Sequence, residues 1–492
     1  MKETNTNPVE PLPGYKLLRY YETGLTILLV GLAGFHVMVS AFQYIIILEP
    51  LKAFEYTAAG VLGFACFLYL LISCLFYKWN LKRIRCFLRG MITYEQIFLL
   101  AFTVWFGISY LINKSLPRPG FNNWNDWYLF DVSLNAAVLF PLAKILPAKR
   151  FQRFINGLLL LLLTAYSIFT VYGLWQVFHR HYVYLPTGTY IGMEKPSRYG
   201  INLGVHYNIT GANAYLMMCI CLYFIAVTKK RWKILLLPLF LLHLFTAQLS
   251  NSRTIFVTGL ATIPLFLFYH HIRGRNGHPD RKRILTAFLI AAAAFAFYWC
   301  SRTLSFYLFE NVSHYREFVY QEIDNENNME GGFDEIDQNV RKLNNLSGRT
   351  RIWKSCLKAM IHDPITFLFG VSPACVTEAM IDLGGNTGID SHAHNMVMQV
   401  GMSAGVPPML AYCVFLLFLC AKCIRVLFGC TQTRLKAAYR VPFFILSLTL
   451  PCLMEIYIVY YHVMCGLFSL FSGWILVLDS ESKQQIEHSL SQ

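Results

Sequence analysis

The chain has 492 residues, of which 56% are hydrophobic and only 14% charged, with a formal net charge of +15. Soluble domains average about 25% charged residues, so the composition excludes an ordinary soluble protein and indicates a polytopic membrane protein. The Lys and Arg residues cluster after alternate apolar stretches, which argues against nucleic acid as their partner and agrees with the positive-inside rule.

Many apolar stretches approach the roughly 20 residues that a helix needs to cross a bilayer. They cover residues 23–47, 54–77, 91–113, 127–146, 155–177, 210–228, 232–249, 254–271, 284–300, 397–420, 439–457 and 460–478. Because only helices satisfy the backbone of so many lipid-embedded segments, we predict an all-α polytopic membrane protein with about 12 transmembrane helices. Basic clusters follow the even-numbered spans from two to ten, which predicts that both termini are cytoplasmic.

Three regions follow from this pattern. They are an N-terminal transmembrane bundle of about nine spans (1–300), a large extracytoplasmic loop between spans 9 and 10 (301–396), and C-terminal transmembrane helices with a short cytoplasmic tail (397–492). The first apolar stretch is long enough to span, and no small-residue cleavage site follows it, so we predict no cleavable signal peptide. Cys356 and Cys375 lie in the large loop, and their spacing leaves open whether they form a bridge.

A smaller segment, residues 179–210, is also predicted outside and is rich in tyrosine. Its tyrosines are Tyr182, Tyr184, Tyr190, Tyr199 and Tyr207. Aromatic rings at a membrane surface usually act as interfacial anchors, and stacking on sugar faces is the sharper alternative.

The large loop changes character along its length. Residues 310–337 form an acidic strip, which the pattern predicts to be solvated or partly disordered. After it, Ile352, Cys356, Ala359 and Met360 share one face at helical spacing, which predicts an amphipathic helix at the membrane surface. Asp363-Pro364 is predicted to end this helix.

Several ionisable side chains suited to phosphate chemistry are predicted at the outer boundary. They are Arg198, Arg253, Arg349 and Arg351, together with His392, His394 and Asn395 just before the span from Val397. Guanidinium groups make paired hydrogen bonds to phosphate oxygens, and a neutral imidazole suits removal of a proton from a hydroxyl. This combination is what transfer from a lipid diphosphate requires.

Each of these residues also has a structural interpretation. Arg253 can snorkel from a helix end, His394 can cap a helix, and Arg349 and Arg351 can pair with the acidic strip. Arg198 can be an ordinary loop arginine. The spacing of Cys and His residues does not indicate zinc.

Three segments resemble the O-antigen ligase and O-antigen polymerase superfamily. Leu249-Ser250-Asn251-Ser252-Arg253 is similar to the family's Ser-Arg motif at the outer end of a central helix. The stretch from Ser347-Gly348-Arg349 through Trp353 and Pro364 to Phe369-Gly370-Val371 resembles its run from Arg through Trp to a glycine turn. His394-Asn395, followed by Gln399, Gly401 and Gly405, resembles its His-Asn signature.

The resemblance implies a membrane glycosyltransferase with a GT-C-like arrangement of helices and without metal or cofactor, and it implies roles for the candidate site residues. His394 is implied as the base, and Arg253, Arg198, Arg349 and Arg351 as diphosphate binders, with Asn395 and His392 in support. The implied partners are an undecaprenyl-diphosphate-linked glycan donor, a glycan or lipid-core acceptor and membrane lipid, at the bacterial plasma membrane. A single displacement is implied, which inverts the anomeric centre.

Other functions remain open on the sequence alone. A polysaccharide flippase or ion-coupled carrier would place ionisable residues near the bilayer midplane, and the spans contain few of these, with Glu455 as the main exception. A scaffold without activity is a third alternative. The choice between ligase and polymerase also stays open.

Overall fold

Helices make up most of the chain in the computed structural model, which describes residues 15–43, 48–77, 93–116, 118, 120–179, 183–193, 200–228, 230–273, 280–312, 347–385, 392–429, 439–458 and 462–490. The first five helices are α1 (Tyr15–Phe42), α2 (Leu48–Tyr77), α3 (Tyr94–Ser115), α4 (Trp124–Leu134, continued by a π-helical turn at Asn135–Leu139 and by Phe140–Ile145) and α5 (Ala148–Phe178). Three antiparallel strands follow, namely β1 (Val183–Tyr184), β2 (Tyr190–Met193) and β3 (Ile201–Leu203), in the order β1-β2-β3.

The second half of the chain is again helical. Its first four helices are α6 (Tyr207–Val227), α7 (Lys230–Leu249), α8 (Arg253–Arg273) and α9 (Arg281–Val312). Short elements follow, namely α10 (Ser347–Met360), α11 (Pro364–Phe369), a 3-10 turn (Pro373–Cys375) and α12 (Val376–Asp382). The last helices are α13 (Met396–Ala404), α14 (Val406–Gly429), α15 (Arg440–Cys452) and α16 (Val463–Leu490).

The predicted all-α polytopic class is confirmed. Within the described residues, ten helices are long and apolar enough to cross a membrane, and α7 and α15 are apolar but shorter. The total of about 12 spans and the position of the large loop stay predictions. Helix α6 and residues Val463–Ser480 of α16 are mostly buried and form the centre of the bundle, whereas α2 and α9 lie at its edge.

The structure differs from the predicted spans at three places. Helix α9 continues to Val312, so the start of the predicted loop 301–396 is helical. The predicted span 397–420 is two helices, because the chain breaks at Gly405, where φ is 95°. Helix α15 ends at Cys452, so Glu455 lies in the turn after the helix and not within a helical span. The acidic strip from residue 313 onward lies outside the described residues.

Residues 347–385 and 392–395, here called the loop module, have their own apolar core. The predicted face of α10 is buried, with Cys356 and Ala359 fully inaccessible, and it packs against Val376 and Met380 of α12. The face predicted for the membrane surface is therefore covered by protein. Cys356 and Cys375 both lie in this core as free thiols.

Asp363 follows α10 and also caps the next helix, α11. Its carboxylate accepts hydrogen bonds from the backbone N–H groups of Ile365 and Thr366, each at 2.9 Å, and so caps the start of α11. The Asp-Pro pair, predicted as a helix end, is thus also a helix start.

Side-chain hydrogen bonds to backbone attach the loop module to the C-terminal half of α3 and the start of α4. Trp105 Nε1 donates to the carbonyl of Leu368 at 2.9 Å, and Asn113 Nδ2 donates to the carbonyl of Phe369 at 3.1 Å. The backbone N–H of Ala374 donates to Asn125 Oδ1 at 3.0 Å. The module therefore packs against the C-terminal half of α3 and the start of α4.

Two glycines allow the closest backbone approach in this region. A Cβ at Gly405 would lie 2.2 Å from the carbonyl oxygen of Leu368, and one at Gly370 would lie 2.6 Å from that of Met402. Both glycines have positive φ, which also favours glycine. The glycines of the two family-like motifs thus face each other across the junction of α11 with α13.

The spans contain a buried charged cluster that the sequence did not reveal. His36 on α1 lies between two carboxylates, with Nδ1 on Glu55 of α2 and Nε2 at 3.0 Å from Asp131 of α4. Lys52, also buried, places its ammonium group 3.6 Å from the ring centre of Trp127. The interpretation that the spans hold few ionisable groups is therefore incomplete.

The tyrosine-rich segment forms the three-stranded sheet. Tyr184 and Tyr190 are directly paired across β1 and β2, with ring centres 6.3 Å apart, and the Tyr184 side chain is 77% exposed. Tyr207 begins α6, while Tyr182 and Tyr199 lie outside the described residues. Both interpretations of these rings, interfacial anchor and sugar platform, stay open.

Candidate active site

The loop before α13 has a defined conformation that fixes His394. Asn395 caps α13, because its side-chain oxygen accepts from the backbone N–H groups of Val397 and Met398 at 2.9 and 3.0 Å. Its amide nitrogen donates to the carbonyl of Leu453 at 2.9 Å, which ties this loop to the turn after α15. His394 itself has a φ of 47°, a left-handed conformation uncommon for a residue other than glycine.

Further contacts hold the loop on both sides of His394. Trp353 of α10 donates its indole N–H to the carbonyl of Ala393 at 3.1 Å, and the N–H of Ala393 donates to Gln399 Oε1 at 2.8 Å. His392 Nδ1 accepts from the N–H of His394 at 3.2 Å, and the two imidazole rings pack with centres 4.0 Å apart. The strained conformation is thus supported by neighbours on α10 and α13.

Glu455 contacts both His394 and Arg349, and its side chain is only 2% exposed. One carboxylate oxygen, Oε2, lies 3.1 Å from His394 Nδ1, and the other, Oε1, lies 3.1 Å from Arg349 Nη2. His392 Nε2 is 3.9 Å from Oε2. A buried carboxylate therefore contacts an imidazole and a guanidinium through separate oxygens.

The charges around Glu455 favour its ionised form. Burial raises its pKa, but the hydrogen bond from His394 and the positive charge of Arg349 outweigh burial and hold the pKa below its usual value. Burial, with the neighbouring charge of His394, lowers the pKa of His392 to about 4, so this ring is neutral at physiological pH. The cluster at neutral pH thus contains a carboxylate and a neutral His392.

Arg349 connects this cluster to the start of α8. The same Nη2 atom that contacts Glu455 also donates to Thr254 Oγ1 at 2.9 Å. Thr254 follows Arg253, the first residue of α8. The predicted Arg253 motif, Arg349 and the His394 loop thus lie at one end of the bundle and are linked by consecutive contacts.

Arg302 on α9 is a further arginine near Arg253. Its guanidinium donates to the side-chain oxygen of Asn251, a residue with a φ of 54°, and lies 4.8 Å from the ring centre of Phe256. The positive charge of Arg253 acts on Arg302. The turn between α7 and α8 thus places Asn251, two residues before Arg253, in contact with Arg302.

The structure does not bring every predicted residue into this cluster. Arg198 lies outside the described residues. Arg351 is exposed on α10, whereas the preceding Arg349 faces Glu455. Asn395 caps α13 and His392 supports the backbone of His394, so both contribute to the conformation of the loop.

Sequence reasoning missed Glu455 and Arg302 as site residues. Glu455 is an acidic residue in an apolar stretch, which is a signal of function, but the sequence pattern places it at the membrane midplane and not at the outer boundary. Arg302 follows directly on a predicted span, and no local motif distinguishes it from a snorkelling arginine. Among the described residues, His392, His394 and Glu455 also have donor atoms close enough together to hold a metal ion.

Comparison with known proteins bears on this region of the chain. A family model described as O-antigen ligase matches residues 238–413, a segment that includes Arg253, Arg349 and His394 but ends before Glu455. No curated protein matches the chain significantly. The match over residues 238–413 supports the resemblance to the O-antigen ligase and polymerase family that the three motifs predict.

Proposed function

We propose that this protein transfers a glycan from undecaprenyl diphosphate to an acceptor hydroxyl at the outer face of the bacterial plasma membrane. The contact of His394 with Glu455, beside Arg349, is the observation that carries the proposal. An O-antigen ligase-type role in polysaccharide biosynthesis agrees with the family match. The inverting, metal-independent route implied by the resemblance is part of the proposal.

His394 acts as the general base through its Nε2 atom. In the neutral ring one nitrogen carries the proton, and a proton on Nδ1 is favoured because Glu455 Oε2 accepts it at 3.1 Å. The lone pair then lies on Nε2, which is free to take the proton from the acceptor hydroxyl. The carboxylate also stabilises the imidazolium that forms, as the acidic member of a catalytic triad does.

The arginines act on the leaving group. As the acceptor oxygen bonds to the anomeric carbon, the bond from that carbon to the diphosphate oxygen breaks and the lipid diphosphate leaves with the electron pair. Arg253 and Arg349, with Arg351 and Arg198 as further candidates, neutralise the negative charge that develops on it. In other enzymes, removing one hydrogen-bond donor of this kind lowers kcat by about 10²–10³-fold.

A transporter or flippase of a polysaccharide precursor is the alternative function. The buried group of His36, Glu55 and Asp131 is the observation that favours it, because ionisable residues inside a membrane bundle often serve transport. The two functions differ in where the lipid-linked donor remains when the protein is inactivated.

The test is His394→Ala in cells that depend on this protein for their surface glycan. We expect glycan transfer to stop while the lipid-linked donor accumulates on the outer face, measured by labelling intact spheroplasts with a membrane-impermeant probe. His362→Ala, an exposed histidine between α10 and α11, is the matched control and should transfer normally. Lipid-linked donor retained on the cytoplasmic face would favour the transporter. Normal transfer by His394→Ala would refute the role of His394 as general base.

A further inference from the structure

We propose that His392, His394 and Glu455 form a binding site for a borderline-soft divalent metal ion such as Zn²⁺, and that the bound ion inhibits the protein. The inhibitory part rests on the proposed function of His394, whereas the binding site itself does not. The donor atoms are His392 Nε2, His394 Nδ1 and Glu455 Oε2.

The spacing of these atoms suits a tetrahedral ion. Oε2 lies 3.1 Å from His394 Nδ1 and 3.9 Å from His392 Nε2, and all three donors lie within 4.8 Å of one another. Zn²⁺ bonds to nitrogen and oxygen at about 2.0–2.2 Å, which places neighbouring ligand atoms of a tetrahedron about 3.3–3.6 Å apart. Small movements of the two rings therefore complete three corners, and the fourth remains for water.

The chemistry of the donors selects the ion. Two imidazole nitrogens and one carboxylate oxygen suit Zn²⁺, Co²⁺ or Ni²⁺, whereas Mg²⁺ and Ca²⁺ prefer oxygen ligands. Arg349 occupies Oε1 at 3.1 Å and leaves Oε2 directed at both rings. The two histidine side chains are 24% and 21% exposed, so an ion can reach them from solvent.

Metal binding and base catalysis require opposite tautomers of His394. As a base, His394 carries its proton on Nδ1 and presents a lone pair on Nε2; as a metal ligand through Nδ1, it carries the proton on Nε2 and has no lone pair there. His392 must likewise lose its hydrogen bond from the N–H of His394 when Nε2 binds the ion. The ion therefore removes the base without blocking the rest of the pocket.

The test is a titration of Zn²⁺ into the full-length protein, purified in detergent through a tag without histidine. Isothermal titration calorimetry should show one ion per chain, and Co²⁺ in place of Zn²⁺ should give the visible absorption of a tetrahedral nitrogen and oxygen site. His392→Ala and Glu455→Gln should each weaken binding at least about tenfold. His362→Ala, with an equivalent exposed histidine removed, should bind as the wild type does.

The outcomes separate this inference from the proposed function. If the wild-type protein transfers glycan but does not bind Zn²⁺ stoichiometrically, the proposed metal site is wrong and the proposed transferase function is unaffected. Protein that binds one Zn²⁺ through these residues but transfers nothing even after EDTA has removed the ion supports the site and refutes the function. In active protein, Zn²⁺ should lower the transfer rate and EDTA restore it, and an unchanged rate with the ion bound would overturn the inhibitory role. Equal binding by His392→Ala, or a Co²⁺ spectrum typical of octahedral oxygen ligands, would also contradict the site.

Discussion

Glu455→Gln should lower the rate constant for glycan transfer by about 10²–10⁴-fold, a loss typical for a general base or the acid that orients it. Glutamine has nearly the same shape, but its neutral amide neither stabilises the imidazolium of His394 nor requires the proton on Nδ1. It also leaves Arg349 facing an uncharged group in place of its carboxylate partner at 3.1 Å. Steady-state kinetics with purified protein and a lipid-linked donor would measure this loss.

The kinetic pattern distinguishes a positioning role from a structural one. Because Glu455 acts through His394, kcat should fall far more than KM rises, and Glu455→Asp should recover part of the rate. Asp382→Asn removes an exposed carboxylate from α12 of the same loop module and serves as the matched control. A Glu455→Gln variant that keeps its thermal stability and more than half of the wild-type kcat would contradict the proposed action of Glu455 through His394.

The buried cluster of α1, α2 and α4 should have the largest effect on stability. Asp131→Asn removes one of the two carboxylates that contact His36 and should lower the free energy of unfolding by about 3–5 kcal/mol, because it leaves a buried charge without its partner. Midpoints of thermal unfolding, followed by tryptophan fluorescence in detergent, would rank the variants.

A charge-balanced variant provides the sharper comparison. The double change Lys52→Met with Glu55→Gln removes one positive and one negative group. It should therefore lower the free energy of unfolding by less than the sum of its two single changes. Glu22→Gln, an exposed acid on α1, should stay within about 0.5 kcal/mol of the wild type. Additive losses, or an Asp131→Asn variant as stable as the wild type, would show that these groups are not coupled.

Local patterns in the chain predicted the class of fold and part of the site. Apolar runs fixed the helices because lipid leaves the backbone few alternatives. The face of Ile352 and Cys356 was predicted correctly because helical periodicity reports burial wherever the apolar partner lies. The covering of that face by α12 was not predictable, since apolar side chains pack equally well on protein and on lipid.

The missed features depend on contacts between distant parts of the chain. His36, Glu55 and Asp131 come from three helices, and each alone resembles an isolated polar residue in an apolar stretch. Glu455 can contact the His394 loop because α15 ends at Cys452, three residues before it, and the sequence does not show this helix end. The break at Gly405 was hidden because apolar residues continue on both sides, and the close approach of Leu368 that requires glycine comes from another element.

The most direct measurement is a cryo-EM structure of the wild-type protein with undecaprenyl diphosphate bound. The expected map shows phosphate oxygens within hydrogen-bonding distance of Arg253 and Arg349, and His394 Nε2 open to the same cavity. A diphosphate bound elsewhere, or held at this end without either arginine, would contradict a shared pocket for leaving group and base.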